Sequence, residues 1–143
     1  MKLHLALAAI ATLLLSACVT PISSTPSGPS GPSIPSAPLS LGGDWRNASV
    51  GATLERFQRE VAGRYEAGLA LSDASGDLRR QEFNCSAGRG ENAPQQVCRK
   101  TETAGDCTHT WQVHLFAADD VLARSRALYD RRCGGDGLLG GPT

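Results

Sequence analysis

The chain has 143 residues, with 14 Lys plus Arg balanced by 14 Asp plus Glu and a pI near 6.8. One domain of ordinary size with additions fits that length, and a large multidomain enzyme does not. Zero formal net charge supplies no bulk field for phosphate backbones, which excludes a nonspecific nucleic-acid binder.

Behind Lys2, residues 3–15 form an apolar run broken by His4 and Thr12. Thirteen residues fall short of the roughly 20 that span a bilayer as a helix, so the run predicts a signal peptide over residues 1–17. It closes on Leu15-Ser16-Ala17-Cys18, which resembles the lipobox of bacterial lipoproteins. The resemblance implies that Cys18 becomes the first mature residue, linked to diacylglycerol and N-acylated with chains such as palmitate. The alternative is an ordinary signal peptide cut nearby, with Cys18 a bystander thiol. Stable anchoring takes more than one acyl chain, each buried methylene contributing about 0.8 kcal/mol, and the lipobox pattern meets that condition. Val19 stands where, in enteric lipoproteins, an Asp signals inner-membrane retention, so the resemblance implies the outer membrane, with the domain facing the periplasm or the cell surface.

Residues 19–41 read VTPISSTPSGPSGPSIPSAPLSL, with six Pro, seven Ser and no charged or aromatic side chain. Such a stretch buries too little apolar surface to offset its ordering entropy, so residues 18–41 are expected to be a disordered, lipidated tether. In polyproline II form it reaches roughly 70 Å at about 3.1 Å per residue. Its PxxP spacing also suits a polyproline reader, but such readers are mostly eukaryotic signalling domains.

Residues 42–133 are left for one α+β domain, with a Gly-rich, flexible tail over 134–143. Leu54, Phe57, Val61 and Tyr65 recur at helical spacing, with Glu55, Arg56, Arg59, Glu60 and Arg64 on the remaining surface. Thr53 is the expected N-cap and Gly68 the expected stop. A second, shorter helix capped by Ser72 or Asp73 should run to about Gln81 and turn Leu78 inward, against the helix-weakening Gly76.

Beyond Gln81 the period shortens toward two, and a small antiparallel sheet of three to four strands is expected. A hairpin folded at 90–93 sets Cys85 opposite Cys98. Thr110 to Phe116 alternates Trp111, Val113 and Leu115 with polar residues, residues 118–120 supply a turn, and 121–132 return. If paired positions sum to 240, Trp111 faces Tyr129, Val113 faces Ala127 and Cys107 faces Cys133, all on one face. Of three possible connectivities, this register selects two disulfides, Cys85–Cys98 and Cys107–Cys133. An oxidising envelope compartment permits them. Zinc held by the four cysteines with His109 is the rival, but no C-x-x-C or H-x-x-H spacing accompanies the Cys107-Thr-His109 step. No metal and no cofactor is therefore expected.

Neither a nucleophile-elbow motif, a phosphate loop nor H-E-x-x-H is present, so no catalytic residue is assigned. His109 shares the parity of Trp111, and His114 lies on the opposite face; either titrates near neutral pH, and a lone strand histidine is most often structural. Asp119 and Asp120 suit a turn without a metal. Arg124, Arg126 and Arg132 alternate on the outer face of the last strand. They serve as a solvated or self-pairing-resistant edge, or as a contact for an anionic lipid or an acidic protein groove, since guanidinium forks suit both.

A lipobox, a Ser/Pro tether, the helix opening Gly51-Ala52-Thr53-Leu54-Glu55-Arg56-Phe57, a short second helix and a small sheet together resemble the BamE/SmpA/OmlA outer-membrane lipoproteins. That family opens its helix with G-M-T-x-x-[EQ]-V; here Ala52 replaces Met, Arg56 the acidic or amide residue, and Phe57 the Val. Four cysteines and a fourth strand depart further. The resemblance implies a noncatalytic accessory that binds envelope proteins and anionic lipid, anchored in the membrane by its acyl chains. A periplasmic inhibitor or small-ligand binder presenting the loop 88–94 is the alternative, and an enzyme using His109 or His114 a third.

Overall fold

The computed structural model describes residues 31–134; the signal segment, Cys18 and residues 135–143 lie outside the described residues. Two helices, α1 (Val50–Arg64) and α2 (Leu71–Arg80), precede four strands, β1 (Asn84–Ala87), β2 (Gln96–Ala104), β3 (Cys107–Ala118) and β4 (Val121–Cys133). The strands form one antiparallel sheet in the order β1-β2-β3-β4, and the fold is α+β. Among the described residues no helix is long and apolar enough to cross a membrane.

Along α1 the predicted stripe holds: Phe57 and Val61 are fully enclosed, Leu54 packs at the margin, and Tyr65 is buried just beyond the last turn. The N-cap is Ser49 rather than Thr53. Ser49 Oγ accepts from the Ala52 amide at 3.2 Å, while Thr53 sits one turn inside, buried, with its hydroxyl unpartnered. Both are good capping residues, and the turn around Trp45 fixes which one starts the helix. Gly68 does not stop α1, which ends at Arg64. With φ at +96° it turns the following segment so that its amide donates to the Leu122 carbonyl at 2.8 Å.

Helix α2 starts at Leu71 behind Ala70, with no side-chain cap from Ser72 or Asp73. Backbone pairing to the sheet fixes its start: the Leu71 amide donates to the Asp120 carbonyl at 2.8 Å. It ends in a Schellman closure, Glu82 in the left-handed region, with the Phe83 amide on the Leu78 carbonyl and both side chains buried.

The hairpin β3–β4 follows the 240 rule from Cys107↔Cys133 to Phe116↔Arg124 and turns through Asp119 and Asp120, both at positive φ as a two-residue turn demands. The register then shifts, pairing Ala117 with Leu122 and leaving Ala123 as a bulge. Cys85↔Cys98 and Cys107↔Cys133 are register partners, and both pairs are disulfide-bonded.

One face of the sheet, carrying Cys98, Trp111, Val113, Leu115, Ala127 and Tyr129, is covered by the helices and by the segment before them. That segment corrects the expected extent of the tether. Leu39 is only 8% exposed, and Ile34 and Leu41 pack against the core. Its backbone is bound all along: Ala37 accepts from Arg64, the Leu39 amide donates to Gln81 at 2.6 Å, the Ser40 amide donates to Glu60, and Leu41 accepts from the Trp111 indole at 3.1 Å. The late aliphatics and these partners on three elements overcome the ordering cost that composition alone implied.

Arg64, expected on the surface, is also inside. Its guanidinium forks onto Asp77 at 2.8 and 3.1 Å, and Asp77 further accepts from Tyr65 (2.7 Å), Gln81 (2.8 Å) and Arg80 (3.1 Å). Asp77 thus joins α1, α2 and, through Arg64, the strap before them.

Candidate functional site

Among the described residues no helix lies on the opposite face of the sheet. Alternation places there Val97, Arg99, Thr101 and Thr103 from β2, Thr108, Thr110, Gln112, His114 and Phe116 from β3, and Arg124, Arg126, Leu128, Asp130 and Arg132 from β4. Four guanidiniums therefore stand over a floor of threonines, glutamine and scattered apolar groups, with one carboxylate among them.

The arginines are not equivalent. Arg132 is paired with Asp130 at 3.0 Å, so part of its charge is already met. Arg124 lies over the Phe116 ring with its Cζ 3.7 Å from the centroid and stays exposed. Arg126 stands across from His114, whose pKa is lowered by burial and by that neighbouring charge. Arg99 and Arg126 make no ion pair among the described residues. Around Arg99 a shallow cavity of about 280 Å³ is lined by Thr108, Thr110, Gln112, Asp130 and Arg132, a set of hydroxyl, amide and guanidinium donors with one carboxylate acceptor. The face thus gathers Arg124, Arg126 and Arg132 as their spacing predicted and adds Arg99, which pairs through Gln112 into the same ladder.

A second cavity of about 590 Å³ lies at the β1–β2 edge, bounded by Glu82, Asn84, Lys100 and Glu102. Its lysine is already engaged, 2.9 Å from Glu82 and 3.6 Å from Glu102, and this neighbour holds the Glu82 carboxyl below its usual range. The cysteines cannot serve as thiolate zinc ligands, because all four sulfurs are joined in pairs; the cluster of Asp106, Cys107 and Cys133 includes one such pair.

The two strand histidines are far apart in character. His114 is half-buried on the open face. His109 is enclosed at 2% exposure, its Nδ1 2.6 Å from the Tyr129 hydroxyl and its ring 4.6 Å from Trp45. The loop between β1 and β2 is closed at its base by Cys85–Cys98, and the Gly88 amide donates to Gln95 at 3.3 Å. A side chain at Gly88 would collide with the Pro94 carbonyl, so only glycine permits that approach.

Sequence reasoning missed Arg99, Asp77 and the burial of Trp45. Arg99 carried a usable signal, since it shares parity with Val97 and lies opposite to the buried Cys98. Compared with known proteins, the chain matches no family model, no curated protein and no solved structure.

Proposed function

We propose that this protein is a noncatalytic lipoprotein of the bacterial envelope, held to the outer membrane by an acylated Cys18, which uses its open sheet face to bind another envelope component. The observation that carries the reading is the asymmetry of the sheet. One face is closed by helices and strap, and the other displays, among the described residues of β2 to β4, Arg99, Arg124, Arg126 and Arg132 against one carboxylate, Asp130. A four-stranded sheet needs only one covered face for its core, so the composition of the second face is free to serve recognition. Its guanidiniums suit an acidic protein surface or the phosphates of an anionic lipid.

The test is photo-crosslinking of the membrane-resident full chain in its native cells, with the reactive group placed at Gln112 on the open face or at Arg59 on exposed α1. Capture of one envelope component from Gln112 but not from Arg59, lost in Arg99→Glu/Arg126→Glu, is the expected result. Equal capture from both positions, or capture indifferent to charge reversal, refutes it. Retention of Cys18→Ser in the membrane fraction would refute the anchor separately. A second reading, an inhibitor that inserts the 88–94 loop into a cleft, is favoured by the disulfide and close backbone approach that pre-form this loop; a soluble hydrolase crosslinked from Arg89 would favour it.

A further inference from the structure

Trp45 is the plug of the core at the point where the strap turns into α1. The turn that carries it is short and self-bonded: the Gly43 amide donates to Ser40, the Trp45 amide to Gly43 at 2.8 Å, and Asn47 and Ala48 to Asp44. Its indole, 6% exposed, meets His109 edge-on at 4.6 Å and Trp111 at 4.9 Å. Behind it the Trp111 indole N–H holds the strap by the Leu41 carbonyl. His109 is therefore the polar group on which the plug rests.

The surroundings of His109 accommodate a neutral ring. From β4, Tyr129 sets its hydroxyl 2.6 Å from Nδ1, and burial raises the pKa of that phenol, so it stays protonated beside the imidazole. From β4 and from the turn, Arg131 and Arg46 bring positive charge; Arg131 Nη1 donates to the Ala48 carbonyl at 3.4 Å, and Arg46 stacks on the outer face of Trp45 at 4.0 Å. From β2, the register partner Glu102 is drawn 3.6 Å from Lys100. Burial first, then Arg131 and Arg46, lower the pKa of His109. Protonation would place a positive charge on a side chain only 2% exposed, beside the guanidiniums of Arg131 and Arg46, and would make Nδ1 a donor toward the Tyr129 oxygen.

We infer that the Trp45 turn is an acid-released latch: protonation of His109 expels Trp45 from the core and frees the strap at residues 39–48 from the sheet. The open form exposes His109 to water, where it takes a proton at its ordinary pKa near 6.5, so falling pH favours opening. The linkage has a defined sign. The folded pKa is depressed, so closure is fully favoured above about pH 7 and weakens as pH falls through 6.5. With the open form titrating near 6.5, the opening constant rises by at most about 30-fold between pH 7.5 and 5. Combined with the proposed lipid anchor, release lengthens the tether; the latch itself does not depend on that anchor.

The test uses the ¹⁵N-labelled full chain in detergent micelles and follows two signals, the Trp111 and Trp45 indole N–H groups. Hydrogen exchange of the Trp111 indole, corrected for its intrinsic pH dependence, should accelerate between pH 7.5 and 5 in step with titration of His109, and His109→Gln should abolish the acceleration. His114→Gln assigns the second histidine signal of the domain and should leave the acceleration intact. The wild-type titration decides the matter even if His109→Gln does not fold. Unchanged indole protection across this range, or acceleration that follows His114 instead, overturns the proposal.

Discussion

Replacing Asp77 by Ala should be among the most damaging single changes in the domain. Arg64 and Asp77 side chains are 7% and 8% exposed, so the substitution strands a guanidinium inside the protein and also leaves the buried Tyr65 hydroxyl and the Gln81 amide without their acceptor. Breaking one side of a buried ion pair costs about 3–5 kcal/mol. The lost hydroxyl bond adds to this incompletely, because the released groups relax together, so a total of about 4 kcal/mol is expected. Against a stability of about 5–15 kcal/mol this lowers the thermal midpoint by about 15–30 °C. Urea unfolding of Asp77→Ala, Arg64→Met and Asp77→Ala/Arg64→Met completes the cycle. The double variant should be more stable than Asp77→Ala, since no uncompensated charge remains. Arg80, exposed at 70%, should contribute under about 1 kcal/mol when replaced by Ala. Acid supplies the same perturbation without mutation. Burial pushes the Asp77 carboxyl up, but hydrogen bonds from Arg64 and Tyr65 with the Arg64 charge outweigh it and hold the pKa below 3.8. Its contribution is therefore complete above about pH 4 and is lost as pH falls below that. If Asp77→Ala unfolds within 1 kcal/mol of the parent, or the double variant is no more stable than it, the hub is not what ties the helices.

Removing Cys107–Cys133 as a double Ala variant should cost about 3.5 kcal/mol and removing Cys85–Cys98 about 2.9 kcal/mol, from loops of 26 and 13 residues; denaturant midpoints unchanged in both would refute the entropic argument. The buried Cys98 adds a packing loss of about 1 kcal/mol to the second value, so the two variants should be nearly equal despite unequal loops. Ser49→Ala should destabilise by about 1 kcal/mol, whereas Thr53→Val, which removes an unpartnered buried hydroxyl, should be neutral or stabilising by up to about 1 kcal/mol; the opposite order in thermal melts would return the cap to Thr53.

The β3–β4 hairpin was readable because three independent signals share one parity: the apolar alternation, the two cysteines and the acidic turn. Its bulge was not, since Ala123 is small, exposed and marked by neither Gly nor Pro. Arg64 lay three residues after Val61 on the same helical stripe, yet its charge argued for the surface; its partner lies 13 positions away in another helix, beyond any local pattern. The strap was hidden by averaging, because 23 residues of Pro and Ser masked three aliphatics at their end. On the open face the alternation gave the β4 arginines, while the pairing of Arg132 with Asp130 and the seat of Arg124 on Phe116 needed side-chain geometry.

The cysteines of the domain bond in the order in which they occur, first with second and third with fourth. A chain that enters an oxidising compartment N-terminus first delivers its thiols in that same order. Each bond then joins the two strands of a neighbouring pair or of one hairpin, without waiting for later sequence. With Cys18 acylated as proposed, an oxidant that links consecutive thiols yields the native set directly, and thiol shuffling is not required. The two closed loops do not overlap, so an error in one leaves the other free to form.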